Sequence, residues 1–244
     1  MNAVHDFDAM FSGIIGQEYD LLKLICPFAA EMSRLVGLEV AEHCRNMAEM
    51  PAVVEIGGGT GITTLSILVS NENAHVLSVD NEPIMQNQAR QALHSWEANG
   101  LLSFSVDDAL GALKKLDDHS VDVVASAYTF HNFEADYRKN VIEESFRVLK
   151  RGGRFINGDR YALDDVNQHT RNTQREVAGY FKVLTEMQRL DLLEHWIIHL
   201  FNDESENHIM RESIAYQQMT EAGFRQIELK MRQDVNALVT AIKR

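Results

Sequence analysis

The sequence predicts an α/β fold in which a doubly wound, mostly parallel sheet of seven strands ends in an antiparallel C-terminal hairpin and carries a helical cap. Three observations support this prediction. From residue 53 onwards, short apolar runs alternate with segments of helical spacing. The last two apolar runs follow each other with no helical segment between them, and two further helical segments stand outside the alternation.

The strands are predicted from short apolar runs that are each followed by a helical segment. Five such runs are VVEI, HVLSVD, LLSFSVD, VDVVASA and RFING. Strands that alternate with helices form βαβ units, which build a mostly parallel sheet. The runs FRQIELKMR and ALVTAIKR near the end of the sequence are joined by a short polar link, so we expect them to pair antiparallel.

Two of the intervening segments carry the start and stop residues of helices. EPIMQNQARQALHSWEANG has Pro83 near its first turn and Gly100 as a stop, and EADYRKNVIEESFRVLKRGG stops at Gly152. Proline at the first turn fits because its missing N–H would have no partner inside the helix, and glycine accepts the left-handed conformation that ends one.

Two helical segments outside the alternation are predicted to cover the ligand edge of the sheet. The first, EYDLLKLICPFAAEMSRLVGLEVAEHC, has a break near Pro27, and the second, EVAGYFKVLTEMQRLDLLEHWIIHL, has a wide apolar face. The alternative is that these two helical segments pack on the protein away from any functional site. We predict one domain with these parts: an N-terminal helical cap (1–50), a core (51–162 and 220–244) and a helical cap insert (163–219).

Composition and charge limit the classes of function. The 244 residues are 45% hydrophobic, which is enough for one sizeable core. A formal net charge of -13 speaks against a surface that follows nucleic-acid phosphates, although Arg171, Arg175, Lys182 and Arg189 leave a local basic patch open. The acceptor is therefore expected to be a small molecule.

Cysteine use and the start of the sequence indicate the compartment. Cys26 and Cys44 have neither metal nor redox spacing, and so few cysteines indicate a reducing environment. The first residues lack the basic end and apolar stretch of a signal peptide, and no run reaches the length of a membrane span. We expect a cytoplasmic protein without membrane contact, with a homodimer left open.

A glycine-rich turn follows the first predicted strand. Gly57, Gly59 and Gly61 come two, four and six residues after Glu55. Glycine permits close backbone approach, and N–H groups between a strand and a helix point at a ligand. The dinucleotide fingerprint needs a glycine where Ile62 stands, and the nucleoside-triphosphate loop needs a lysine that is absent here.

The remaining pattern, E-x-G-x-G-x-G in a βαβ unit, resembles the class I S-adenosylmethionine (SAM)-dependent methyltransferases. The resemblance covers residues 53–159 and extends to the closing hairpin. It implies a Rossmann-like core, SAM as cofactor and S-adenosylhomocysteine as product. It also implies that Gly57, Gly59 and Gly61 cradle the methionine half, while Glu55 holds the loop and the ammonium side. An acid suits a sulfonium cation better than it would suit a pyrophosphate.

Acids also end the second and third strands. Asp80 stands about twenty residues after the glycines, where an acid accepts hydrogen bonds from ribose hydroxyls, with helix capping as the alternative. Asn81 continues the turn of the resembled family. Asp108 and Ala109 match the family's adenine-binding position. Asp107 stands where the family has glycine, so the choice between the two acids stays open, with Asp108 favoured.

The loop after the fourth strand lines the methyl-donor side in the resembled family. Ser126 is predicted as a cofactor contact, and Tyr128 and His131 as catalytic residues. A histidine can act as a general base near neutral pH, but it can also pack against the cofactor or cap a helix. Tyr19 on the N-terminal helix is a further predicted cofactor contact.

The cap insert supplies two more predicted catalytic residues, Arg189 and His195, which are expected to select the acceptor. Asp191, His195 and His199 follow at steps of four and share one helical face, which could bind a metal. A polar face or substrate contact is favoured, and no metal is predicted. The neighbourhood of Arg189 is similar to that of the carboxy-SAM synthases, in which a cap arginine binds the carboxylate on the cofactor.

These observations predict a SAM-dependent methyltransferase that acts on a small-molecule acceptor. Two alternatives keep the cofactor: an enzyme that forms carboxy-SAM or cyclises SAM, and a SAM-binding partner subunit without catalysis. A nicotinamide oxidoreductase is a more distant alternative, since an acid on a ribose is common to both cofactor classes.

Overall fold

A computed structural model describes residues 27–244 of the chain. The predicted cofactor contact Tyr19 and the first part of the N-terminal cap lie outside the described residues. Within the described part, no helix has both the length and the apolar character that crossing a membrane requires.

The described chain contains seven strands and nine α-helices. The strands are β1 (Ala52–Ile56), β2 (His75–Val79), β3 (Leu102–Ser105), β4 (Val121–Ala127), β5 (Leu149–Arg160), β6 (Arg225–Gln233) and β7 (Asn236–Ile242). The helices are α1 (Pro27–Cys44), α2 (Ile62–Ser70), α3 (Pro83–Ala92), α4 (His94–Ala98), α5 (Ala109–Lys114), α6 (Ala135–Val148), α7 (Val166–Glu186), α8 (Leu190–Asp203) and α9 (Glu212–Ala222). A 3₁₀ turn, Phe130–Asn132, follows β4.

The strands form one sheet in the order β3-β2-β1-β4-β5-β7-β6. Strands β1 to β5 run parallel, and β7 pairs antiparallel with both β5 and β6. The predicted fold class is confirmed. The strand order reverses between β1 and β4, and open α/β sheets bind ligands at the carboxyl ends of strands beside such a reversal.

Both faces of the sheet are covered by helices. One hydrophobic core joins the sheet to α5, α6 and α9, and includes Leu113, Val141 and Met219. The other lies under α1 and α2 and includes Val36 and Leu65. Because both faces are buried, the side chains of β1 and β4 are nearly all inside, which explains why these strands read as continuous apolar runs.

The cap insert is a hairpin of α7 and α8 with a small core of its own. Tyr180, Leu184, Leu193 and Leu200 form this core, and the ring of Tyr180 lies 5.8 Å from that of Trp196. The apolar spacing predicts helix through this region, but the chain turns at Gln188, which has a φ of 57°. The apolar face is wide because each helix packs against the other as well as covering the sheet edge.

Three further differences concern element ends. The predicted helix after β2 is divided at Leu93 into α3 and α4. Strand β5 begins at Leu149, earlier than the run RFING suggests. Helix α9 was not predicted, and its residues have a weak apolar pattern because only Ala215, Gln218 and Met219 are buried.

Candidate functional site

Two cavities open at the carboxyl edge of the sheet. The first, the strand-end cleft, has a volume of about 430 Å³ and lies where β1, β2 and β3 end. It is lined by Ile56, Gly57, Val79, Asp80, Asn81, Asp107, Asp108, Ala109, Thr129, Asn132, Phe133, Glu134 and Tyr137. Five of the residues predicted to bind the cofactor are therefore brought together in one cleft: Gly57, Asp80, Asn81, Asp108 and Ala109.

The second cavity, the cap cavity, has a volume of about 520 Å³ and lies under the cap hairpin. Its wall comes from the start of α1, the loop after β4, the end of β5, both helices of the hairpin and the turn between β6 and β7. The lining residues used below are Phe28, Tyr128, His131, Asn132, Arg160, Glu176, Gly179, Tyr180, Trp196, His199 and Asp203.

In the glycine turn, close packing excludes a side chain at Gly57 and at Gly58, where an added Cβ would lie 2.0 Å from Oγ of Ser78. Gly57 has a φ of 78°, and a Cβ there would collide with the side chain of Thr129. Gly59 has a φ of 51°, and a Cβ there would meet no atom within 4 Å. The N–H of Gly59 donates to Oδ2 of Asp80 at 2.7 Å, so the turn is tied to the end of β2. Gly61 begins α2 in the left-handed conformation.

Glu55 lies beneath this turn and not in the cleft itself. Its side chain is fully buried, and Oε2 accepts a hydrogen bond from Oγ1 of Thr64 at 2.5 Å. The other oxygen, Oε1, has no hydrogen-bond partner among the described residues. Burial raises the pKa of Glu55 to about 7, and the neighbouring Asp80 adds to the shift.

Asp80 holds the two backbone segments that border the cleft. Oδ2 accepts from Gly59, and Oδ1 accepts from the N–H of Glu82 at 2.8 Å. The cap of α3 is Glu82, whose side chain accepts from Ile84. Asp80 is thus not the residue that caps this helix, and each of its oxygens keeps a lone pair for a ligand hydroxyl.

Asp108 and Asp107 occupy different settings at the end of β3. Asp108 caps α5 through Gly111 and accepts a 2.7 Å hydrogen bond from the hydroxyl of Tyr137, which holds its pKa below the usual range. Asp107 accepts from Ser105 and from Lys115, both at 2.6 Å. Both acids line the cleft, so the geometry does not choose between them. Tyr137 was missed from the sequence because it lies in α6, far along the chain.

The chemistry of this cleft fits SAM. The backbone at Gly59 is open, and carboxylates of Asp80 and Asp108 border the space. Among the described residues that line the cleft, none is lysine or arginine, so a pyrophosphate would meet acids without a compensating cation. A cofactor that carries a sulfonium and an ammonium, and no phosphate, suits this environment.

At the polar end of the cap cavity, His131 is held by Asp159. Its Nδ1 lies 2.5 Å from Oδ1 of Asp159, and both residues are buried. Asp159 also accepts the N–H groups of Phe130 and Arg160, each at 2.8 Å. Nδ1 is therefore the nitrogen that contacts the carboxylate of Asp159, and the other ring nitrogen, Nε2, is left to face α8.

Two residues of α8 face that nitrogen. Oδ2 of Asp203 lies 3.7 Å from Nε2 of His131 and 3.7 Å from Nε2 of His199. Burial lowers the pKa of His199 and raises that of Asp203. Beside them Arg160 binds Glu176 through two hydrogen bonds of 2.6 and 3.1 Å, and the hydroxyl of Tyr180 donates to the same carboxylate.

The two other predicted residues around β4 have different surroundings. Tyr128 lines the cap cavity with a φ of 52°, and its hydroxyl donates to Asn236 at 2.7 Å. A bulky residue in the left-handed region is uncommon and is often found at functional sites. Ser126 is buried in the sheet, where Oγ donates to the carbonyl of Ile56, and it lines neither cavity.

Arg189 and His195 are not brought to either cavity. Arg189 pairs with Asp191 two residues away, at 2.8 Å on the outer end of the hairpin. His195 is exposed and stacks on His199, with ring centroids 6.5 Å apart. The row at steps of four continues one turn further, so that His199 and Asp203 face the cavity while Asp191 and His195 do not. Extending the row by one step would have found Asp203 from the sequence.

A comparison with known protein families supports SAM as the ligand of the strand-end cleft. Residues 54–157 match a family model described as a methyltransferase domain. This match, which covers 104 of the 244 residues, supports the resemblance to the class I SAM-dependent methyltransferases. SAM is the cofactor of this family and S-adenosylhomocysteine its product, so the predicted cofactor is confirmed at the level of the family.

The curated proteins that match this chain are distant relatives. The carboxy-S-adenosyl-L-methionine synthase of Cronobacter sakazakii is 22% identical over 216 residues, which cover 86% of this chain and 81% of that protein. The synthase of the same name from Enterobacter sp. is 23% identical over 150 residues, 61% of this chain and 58% of that protein. At these identities the names of the relatives do not fix the reaction.

Among solved structures, an O-methyltransferase family protein from Burkholderia thailandensis has a similar fold. The TM-score is 0.63 at 17% identity, and the match covers 97% of this chain and 59% of that one. The chain therefore spans about three fifths of the length of this protein and of the Enterobacter synthase.

Proposed function

We propose that this chain transfers the methyl group of SAM to a nucleophilic atom of a small-molecule acceptor held in the cap cavity. One observation carries the proposal: Asn132, in the turn after β4, lines both the strand-end cleft and the cap cavity. A cofactor bound in the cleft and an acceptor bound under the cap would meet at this turn. In-line contact of the two reactants is the main requirement of a displacement reaction.

The cofactor half of the proposal rests on residues of the strand ends. Asp80 would hold the ribose, Asp108 or Asp107 the adenine, and the glycine turn the methionine half. SAM supplies, when bound, an electrophilic methyl group on a sulfonium. The chain's contribution is to fix this group with preformed hydrogen-bond acceptors and to exclude water from it.

The acceptor half rests on the lining of the cap cavity. Tyr128, Tyr180 and Trp196 offer aromatic surface, while His131 and Arg160 form a polar end. Such a mixture fits a small, partly flat acceptor whose polar group points to His131. The net charge of -13 supports a small molecule over nucleic acid.

The acceptor half can be tested by filling the cavity at Gly179. This residue lines the cap cavity, and an added Cβ would meet no atom within 4 Å, so Gly179→Phe places a large side chain in the space without strain at its base. Ala178→Phe is the matched control, since Ala178 is exposed on the same helix and lies outside the lining.

Each protein would be incubated with methyl-labelled SAM and a panel of phenols, carboxylic acids, amines and thiols. We expect the wild type to label at least one class, Gly179→Phe to lose roughly tenfold or more of that activity, and Ala178→Phe to keep it. All three should bind S-adenosylhomocysteine alike in calorimetry. Equal turnover in Gly179→Phe, or no labelling by a wild type that binds the cofactor, contradicts the proposal.

Carboxy-SAM formation is the second candidate, because the Cronobacter synthase aligns with 86% of this chain. The position of Arg189 weakens it, since the arginine expected to bind the cofactor carboxylate pairs with Asp191 instead. Mass spectrometry of ligand retained by the purified protein separates the candidates. Carboxy-SAM in the bound fraction would favour the second, and SAM or S-adenosylhomocysteine the first.

A further inference from the structure

We infer that the polar end of the cap cavity binds a divalent first-row transition metal through His131, His199 and Asp203. Metal binding is a property separate from methyl transfer, and it can be measured without any acceptor or cofactor. It also bears on the proposed function, since the metal would stand where the polar group of the acceptor is expected.

The spacing of the three side chains is that of ligands around one ion. One atom from each residue can be chosen so that all three lie within 4.8 Å of one another. Asp203 Oδ2 is 3.7 Å from Nε2 of His131 and from Nε2 of His199. These separations exceed the roughly 2.7–3.2 Å of an N–H···O hydrogen bond. They are close to the ~3.3 Å between two ligands that each lie about 2.0–2.1 Å from a tetrahedral metal.

His131 is already oriented as a metal-binding histidine is. Its Nδ1 lies 2.5 Å from Asp159, whose carboxylate is fixed by two backbone N–H groups. Metal-binding imidazoles characteristically donate their second N–H to a carboxylate, which sets the tautomer and makes the ligating nitrogen more basic. Here the ligating nitrogen would be Nε2, the atom that faces Asp203.

Asp203 supports the inference through an oxygen without a partner. The residue is only 6% exposed, and its Oδ1 has no hydrogen-bond partner among the described residues. Nε of Arg160 lies 3.6 Å from Oδ2, beyond hydrogen-bond distance, while the two Nη atoms of that guanidinium bind Glu176. A buried carboxylate with an unpartnered oxygen is costly, and a metal ion bound to it would offset that cost.

The wider charge balance also favours a cation. Four carboxylates, those of Asp159, Glu176, Asp203 and Glu204, cluster here, with two arginines, Arg138 and Arg160. His169 contacts Glu204 at 2.6 Å, and Arg175 and Asp234 pair with each other at the rim. The carboxylates therefore outnumber the arginines by two, four against two, and a divalent ion would offset this excess.

The donor set indicates the class of metal. Two imidazole nitrogens and one carboxylate suit zinc, iron(II) or cobalt(II), whereas magnesium and calcium prefer all-oxygen sites. Three protein ligands leave a position open to the cavity, as in catalytic zinc sites. A metal there would polarise an acceptor oxygen and lower its pKa, which would make it a better nucleophile for a methyl group.

Binding can be measured with Co²⁺ and Zn²⁺ on protein freed of metal with a chelator. Co²⁺ gives visible absorption bands that report its coordination, and Zn²⁺ binding is measured by calorimetry. We expect one ion per chain in the wild type. Asp203→Asn and His199→Ala should each weaken binding about a hundredfold or more, since each removes a ligand.

His195→Ala is the matched control, because His195 and His199 are four residues apart on α8 and could chelate an ion at the surface without the cavity. The inferred site predicts full binding in His195→Ala. Loss of binding in His195→Ala with retention in Asp203→Asn would assign the ion to that surface pair and overturn the inference, as would a wild type that binds neither ion. Circular dichroism and binding of S-adenosylhomocysteine verify that each variant is folded.

The two proposals can fail separately. Stoichiometric Co²⁺ binding that depends on Asp203, with no methyl transfer to any acceptor, would keep the metal site and reject the proposed function. Methyl transfer that is unchanged after chelation, with no Co²⁺ bands, would keep the function and reject the metal site.

Discussion

The strand-end cleft and the cap cavity meet at Asn132 but are built in different ways. In the cleft, each main residue stands within three positions of a strand end: Gly57 follows β1, Asp80 follows β2, and Asp108 follows β3 after two intervening residues. In the cap cavity, the polar residues come from the turn after β4, from β5 and from the two cap helices. The cleft is therefore specified by short motifs, whereas the cap cavity depends on how distant elements pack.

The two regions also differ in how their charges are satisfied. Asp80 and Asp108 accept hydrogen bonds from backbone N–H groups at the ends of secondary structure. Asp203 and Glu176 are largely withdrawn from water and lie beside the side chain of Arg160 from β5. Changes in the cleft should consequently affect one ligand, while changes in the cap cavity affect several neighbours at once.

The largest effect is expected at Glu55, the buried acid beneath the cleft. Its pKa is raised from 4.5 to about 7. Between these values the folded chain keeps a proton that the unfolded chain releases, so the free energy of unfolding decreases as the pH rises from about 4.5 to 7, by on the order of 3 kcal/mol. In Glu55→Gln this component should vanish. Urea unfolding at several pH values measures it.

Glu72→Gln is the control for that experiment, since Glu72 is exposed. It should show the same pH dependence as the wild type. An identical pH dependence in the wild type and in Glu55→Gln would show that Glu55 is not protonated in the folded state.

A smaller effect is expected at Asp80. Asp80→Ala removes the acceptor predicted for the ribose hydroxyls and should weaken binding of S-adenosylhomocysteine by about 2 kcal/mol, more than tenfold in dissociation constant. Asp165→Ala is the matched control, because Asp165 caps α7 through Gln168 on the cap side and should leave this affinity unchanged. Calorimetry measures the affinity of both variants for S-adenosylhomocysteine. If Asp80→Ala binds this ligand as tightly as the wild type does, the role of Asp80 is limited to holding the turns at Gly59 and Glu82.

The smallest effects are expected at Arg189 and His195. Because neither side chain reaches a cavity, Arg189→Ala and His195→Ala should leave both cofactor affinity and methyl transfer unchanged. This expectation replaces the one from the sequence, which assigned them to acceptor selection. If Arg189→Ala abolished cofactor retention, the arginine would contact the cofactor in a closed form of the cap, and the carboxy-SAM candidate would gain.

The sequence by itself determined the sheet and the cleft. Periodicity predicted the seven strands, and the turn at Gly57 opens at the ligand edge because it follows a parallel strand. The cofactor was predicted from the resemblance of this motif to the SAM-dependent methyltransferases. The same locality explains the position of Asp80 and Asp108. Even here tertiary packing added Thr129 and Tyr137, which reach the cleft from later elements.

Only the tertiary structure decided the cap. The apolar spacing of residues 176–200 predicts helix but not the turn at Gln188, since a residue in the left-handed conformation leaves the periodicity of its neighbours intact. That turn determines which members of the row from Asp191 to Asp203 face inward. A helical face is visible in a sequence, but its partner is not, and for this reason the contact of His131 with His199 and Asp203 appears only when β4 and α8 are packed together.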